Sequence, residues 1–253
     1  MTKRAKATDQ GLRGHPWRRF LRGPDPEILD DIYVPALTRA LRYDRCCAYF
    51  SSSVLAAASR GFGRLIERLH ALGEAAPHPA VRLVVNEELP EADARALLET
   101  GDTTALEALL DKRLRRARDL LERRRLEMLA WLLKARLLDL RVGVMRSGEG
   151  IVHAKFGIVT DPGGDAIVFS GSGNESAQGL LANYERLEVS TSWADVDRHR
   201  EYADEFEALW TDRHATVHTV TLPEAIRLKL IRLAPKEPPV VSRPMRWRAS
   251  GPR

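Results

Sequence analysis

The chain has 253 residues, 44% of them hydrophobic, enough for one large α/β domain with its own core. No apolar run approaches the roughly 18 residues a membrane-spanning helix needs, and the basic N-terminus lacks the apolar centre of a signal peptide; a cytoplasmic protein with no membrane partner is expected. The net charge of +5 admits a polyanionic partner without demanding one, because 35 acidic residues are interspersed among 40 basic ones.

Composition divides the chain into a basic extension over 1–24, a body over 25–234, and a Pro- and Arg-rich tail over 235–253. Within the extension, Trp17, Arg18, Arg19 and Phe20 either dock on the body or touch nucleic acid. Residues 26–41 read as a helix kinked near Pro35. Residues 45–50 read as a short buried strand, in which adjacent Cys46 and Cys47 suit a core position better than a disulfide or a metal clip. Ser51, Ser52 and Ser53 then cap a helix over 54–72.

A strand over 81–85 ends at Asn86, and Pro90 opens a short helix to about residue 99. A long helical stretch is expected over 103–138, capped by Asp102 or Thr103. Its apolar stripe takes in Leu110, Leu114, Ala117, Leu121, Met128, Trp131, Ala135 and Leu138. The arginines around it (Arg113, Arg115, Arg116, Arg118, Arg123, Arg124, Arg125) form either a solvated face with i, i+4 partners or a phosphate-tracking stripe. Strands are then expected over 140–145, 151–159, 166–170 and 187–191, with 147–150 as a hairpin-like connection. An amphipathic helix over 195–209 turns Tyr202, Phe206, Leu209 and Trp210 inward, 217–220 adds an edge strand, and 223–233 is a last helix.

Chemistry concentrates in residues 151–185. On an extended strand His153 and Lys155 share one side, with Val152, Ala154, Phe156 and Ile158 on the other. An imidazole is a competent nucleophile toward phosphorus near neutral pH. A lysine two positions on supplies fixed positive charge for non-bridging oxygens. The small residues of Gly171-Ser172-Gly173-Asn174 let backbone N–H groups approach an anion, with Ser172 and Asn174 as further donors, and Glu185 is placed to hold an imidazole tautomer. The other histidines, His15, His70, His78, His199, His214 and His218, are scattered and read as surface or structural, and no ligand-spaced cluster for a metal is seen.

Together these residues resemble the half-site motif of the phospholipase D superfamily: H-x-K, an aspartate, then G-[SG]-x-N and a downstream acidic residue. His153, Lys155, Gly171, Ser172 and Asn174 match directly, and Glu185 falls where small single-motif nucleases of the family carry a glutamate. The match departs at Thr160, where the aspartate is displaced to Asp161 and followed by an inserted turn. The NES run and the later Ser192-Trp193 are similar to phospholipase D-like modules beside helicases in bacterial restriction and phage-defence systems.

The resemblance implies an α/β fold with a mixed β-sheet flanked by helices and a long helix inserted before the motif strands. It implies a metal-independent phosphodiesterase without cofactor, and a two-fold homodimer that brings two single motifs together. His153, Lys155, Asn174 and Glu185 would be catalytic, and Ser51, Ser170, Gly171 and Ser172 would contact substrate. Nucleic acid, DNA first, is the expected substrate, with a helicase or another defence protein as a partner. A lipid phosphodiesterase and a catalytically silent DNA-binding module are the alternatives.

Overall fold

The computed structural model describes residues 11–22, 28–47, 59–86, 91–116, 120–171 and 186–237. Among these, eight strands form one mixed sheet: β1 (Phe20–Arg22), β2 (Arg42–Cys47), β3 (Val81–Asn86), β4 (Leu138–Met145), β5 (Phe156–Thr160), β6 (Ala166–Gly171), β7 (Arg186–Thr191) and β8 (Val217–Thr221). Their order is β1-β7-β6-β5-β2-β3-β4-β8. β2, β3 and β4 run parallel, and the remaining pairings are antiparallel. Helices α1 (Val34–Arg39), α2 (Ser59–Leu72), α3 (Glu91–Thr100), α4 (Thr104–Arg116), α5 (Leu120–Lys134), α6 (Val196–Trp210) and α7 (Glu224–Arg232) flank the sheet, as the α/β reading expects.

Strand alternation sends side chains into two cores. Tyr43, Leu83, Leu140, Val159 and Phe169 face the main core, with apolar residues of α1, α2, α5 and α7. Cys46, Val84, Ile158 and Val168 face a second core closed by Phe206, Leu209 and Trp210 of α6, the residues expected to point inward. Gly157 is a packing requirement: a Cβ there would lie 2.4 Å from the Phe169 ring. That ring also carries the buried Arg45 guanidinium, 5.2 Å from its centroid.

The second core holds an ion pair. Arg82 on β3 donates to both oxygens of Asp44 on β2 at 2.6 and 2.8 Å, and lies 2.6 Å from Glu207 on α6. Its guanidinium stacks over Phe206 and Trp210 at 4.9 and 5.4 Å. Burial works against the charged guanidinium, but the bonds to Asp44 and Glu207 outweigh it, and the net pKa shift is upward. With Asp44 neutralised in this way, β2 starts at Arg42 and not at residue 45 as expected.

Several expected boundaries move for identifiable reasons. A π-helical turn over Leu29–Tyr33 runs without a break into α1, and Pro35 follows it as the second residue of α1, so the irregular turn falls beside the expected kink. The helix after Ser51 is described from Ser59, and residues 51–58 lie outside the described residues. The long helical stretch is described as α4 and α5. The Asp102 carboxylate accepts from Thr104 N–H at 2.9 Å at its start, as the cap expectation requires. It ends before Leu138: Arg136 takes a left-handed φ of 58°, Leu137 N–H bonds back to the Leu132 carbonyl at 3.0 Å, and Leu138 opens β4.

The larger correction concerns 147–150. β4 pairs with β3 and β8, whereas β5 pairs with β2 and β6, so no hairpin joins them. The connection over 146–155 instead crosses the carboxyl ends of β3 and β2. The expected strand over 151–159 is therefore strand only from Phe156.

Part of the basic extension is built into the domain. β1 pairs with β7, Leu12 and Leu21 are fully buried, Trp17 Nε1 donates to the Leu12 carbonyl at 2.8 Å, and Arg18 pairs with Asp31 at 2.7 Å.

Two outcomes are expected. Arg82→Met, which leaves Asp44 buried beside Glu207 without its counter-charge, should lower unfolding free energy by about 3 kcal/mol in urea titration. The Cys46 thiol is pushed up to about 12 by burial, and Cys47 is also buried. Neither should react with Ellman's reagent at pH 8 in the native chain, and both should react after guanidinium unfolding.

Candidate active site

His153 and Lys155 lie at the carboxyl edge of the parallel strands, where α/β sheets hold their ligands. Lys155, 8% exposed, sits one residue before β5, and its carbonyl accepts from Gly171 N–H at 3.2 Å, extending the β5–β6 ladder by one step. Its ammonium lies 3.1 Å from His153 Nδ1, 3.0 Å from Nε2, and 3.1 Å from the His153 carbonyl oxygen. An ammonium only donates, and it lies at nearly equal distance from the two ring nitrogens, so the contact selects neither tautomer. The His153 side chain itself is exposed. The arrangement is an accessible imidazole backed by a buried cation.

The two side chains are brought together as the alternation argument expects, although by a crossing connection and not by a strand. Val152, Phe156 and Ile158 enter the second core, but Ala154 is exposed. What fixes the connection is Asn86, the last residue of β3. It is 1% exposed, and its Oδ1 accepts from Val152 N–H at 2.9 Å. Its Nδ2 is buried with no hydrogen-bond partner among the described residues. The sequence reading placed Asn86 only as a strand end; a polar residue closing the buried run Val81-Arg82-Leu83-Val84-Val85 was the available signal.

Gly171 ends β6 on the same edge. A Cβ there would lie 1.8 Å from the Arg186 carbonyl oxygen, so close approach of β7 already requires glycine. Ser170 is half-buried opposite Phe156. Ser51, Ser172, Asn174 and Glu185 lie outside the described residues, as do the side chains of the arginines expected on the long helical stretch. Cys47, Gly171 and Arg186, the strand ends that adjoin 48–58 and 172–185, all lie on the His153 edge.

The displaced aspartate has a structural role at the opposite edge. Asp161, 3% exposed, accepts from Leu12 N–H at 2.7 Å through Oδ2, and from Gly163 and Asp165 N–H at 2.9 and 3.0 Å through Oδ1. Thr160 is the last paired residue of β5, so the offset falls in a turn that the carboxylate organises. His214 and His218 are structural as expected: His214 Nδ1 accepts from Val217 N–H at 3.1 Å, and His218 Nδ1 lies 3.0 Å from Asp212. Among the described residues no three His, Cys, Asp or Glu side chains converge as a metal site.

No protein-family model matches the chain, and no curated protein matches it in sequence. Similarity is found among solved structures. Nuc from Salmonella typhimurium, a phospholipase D family member, aligns over 80% of this chain and 95% of its own, at 14% identity and a TM-score of 0.43. NucT from Helicobacter pylori aligns over 79% and 99%, at 15% identity and a TM-score of 0.42. A polyphosphate kinase from Porphyromonas gingivalis aligns over 85% of this chain but 26% of its own, at 13% identity and a TM-score of 0.45.

Asn86→Leu removes the acceptor of a buried amide. It should cost about 1–3 kcal/mol in denaturant titration, and whatever activity depends on His153 should fall with it.

Proposed function

We propose that this chain is a metal-independent phosphodiesterase of the phospholipase D type acting on nucleic acid, DNA first. The observation that carries the reading is the exposed His153 ring held against the buried Lys155 ammonium, within 3.0 to 3.1 Å. The neutral imidazole nitrogen attacks phosphorus; a P–N bond forms as the P–O bond to the leaving group breaks. Lys155 balances charge on the non-bridging oxygens, with Asn174 as a second donor and Glu185 orienting the ring. Ser51, Ser170, Gly171 and Ser172 contact substrate in this reading.

A single motif supplies one histidine, and the leaving oxygen needs a proton. His153 of a second copy provides it in a two-fold homodimer, then takes a proton from the water that releases the phosphohistidine. The positive net charge favours a polyanionic substrate. The likeness of the NES run and of Ser192-Trp193 to helicase-linked modules supports a role in restriction or antiphage defence, with a helicase or another defence protein as partner. Loss of phage protection in cells carrying His153→Ala would be its signature.

The test is cleavage of single- and double-stranded DNA in EDTA. Cleavage should survive chelation and fall on the order of 10³-fold or more in His153→Ala, with the chain sedimenting as a dimer. Cleavage abolished by EDTA, or retained by His153→Ala, would overturn the mechanism. DNA binding without cleavage or a trapped phosphoenzyme would identify a silent module, and liposome turnover with indifference to DNA a lipid enzyme.

A further inference from the structure

On the β1–β7 side of the sheet, a cavity of about 500 Å³ opens between the N-terminal segment, β7 and the start of α6. Its walls combine the rings of Trp17, Phe20 and Trp193 with the guanidinium groups of Arg13, Arg19 and Arg198. Trp17 and Trp193 are half-buried against the main core, and Phe20 is 36% exposed. Guanidinium groups flank the rings: Arg13 lies 5.4 Å from the Trp193 centroid, and Arg22 and Arg186 lie 5.0 and 5.1 Å from that of Phe20. An exposed phenyl ring between two arginines has little value for the core.

The carboxylates of the lining are already engaged. Glu188 bridges Arg186 and Arg198, and Asp195 caps α6 by accepting from Arg198 N–H at 3.2 Å. Arg13 is itself held by Asp165 at 2.7 Å; with Arg22 and Arg186 beside Phe20 counted in, five guanidinium groups (Arg13, Arg19, Arg22, Arg186, Arg198) stand against three carboxylates (Asp165, Glu188, Asp195). Burial and the nearby Arg39 lower the His15 pKa from its ordinary value. A cavity of this size suits a nucleotide-sized ligand. Aromatic faces with arginines beside them are how proteins hold single-stranded nucleic acid without reading sequence.

We propose that this groove is an accessory site for single-stranded nucleic acid, with bases stacked on the aromatic rings and phosphates on the arginines. It takes its substrate class from the phosphodiesterase reading above. The sheet register connects groove and site: Phe20 lies opposite Glu188, Glu188 opposite Ser170, and Ser170 opposite Phe156, the residue after Lys155. Those three strand spacings are about 14 Å along the sheet.

The test uses the full chain carrying His153→Ala, so that bound strand is not consumed, and a fluorescein-labelled single-stranded DNA of about 15 nucleotides. Anisotropy should show Phe20→Ala and Arg19→Glu each weakening binding about 10-fold, with tryptophan fluorescence quenched on binding to the parent. Both substitutions are at exposed positions, and thermal melts of each variant establish that it is folded. Affinities within about two-fold of the parent in the folded variants would overturn the groove. If the chain with His153 intact hydrolyses bis(p-nitrophenyl) phosphate but the parent binds no DNA, the groove fails and the phosphodiesterase reading stands. Absence of both turnover and binding overturns both. Conversion of a dimer to a monomer by Phe20→Ala, with DNA binding unchanged, would make this face a contact between copies and sink the proposal.

Discussion

The chain must pass from β4 across two parallel strands to reach β5, and one buried hydrogen bond holds it midway. Val152 N–H meets Asn86 Oδ1 at 2.9 Å, and the Val152 side chain drops into the second core. One residue later His153 is exposed, yet its backbone is anchored on both sides: by Val152 before it, and by Lys155, whose carbonyl is tied to Gly171, after it. A reactive side chain must be accessible and still be positioned. Here accessibility comes from the edge of the sheet, and position comes from a strand end two strands away in the sheet.

The opposite edge is organised by Asp161. Its carboxylate accepts three backbone N–H groups, two from the β5–β6 turn and one from Leu12. The turn and the N-terminal segment therefore share an anchor. Arg13 adds a salt bridge to Asp165 at 2.7 Å on the surface, where such pairs contribute little by themselves. The segment then runs along β7 and leaves the aromatic and arginine-lined groove at its side. Between the two edges the sheet is packed on both faces, and its glycines mark where backbone or ring comes too close for a side chain, at Gly157 beneath Phe169 and at Gly171 beside Arg186.

Much of this was legible in the residues because the signals are local. Alternation marked the buried strands, three- and four-residue spacing marked α6, and Asp102 marked a helix start. His153 and Lys155, two apart, were read as neighbours on one side, and they are. The misreadings share a cause, which is that partners distant in sequence override local pattern. The first buried strand is expected from residue 45, but Arg82, distant in sequence, balances the Asp44 charge and the strand starts at Arg42. Leu138 continued a helical stripe, yet Arg136 reverses the chain before it. Residues 147–150 have turn composition, but composition cannot say which strand comes next in the sheet.

The sequence by itself determined the chemical inventory: an imidazole and an ammonium two residues apart, a glycine-rich continuation, and strands apolar enough to be buried. Covalent spacing and side-chain chemistry suffice for that. Only the tertiary structure decided that His153 rides on a crossing connection, that Asn86 holds it, that the displaced carboxylate of Asp161 ties down the N-terminal segment, and that Trp17, Phe20 and Trp193 meet in one groove. Each of these depends on strand order, and strand order is set by which apolar faces close the two cores together, a property of the whole sheet.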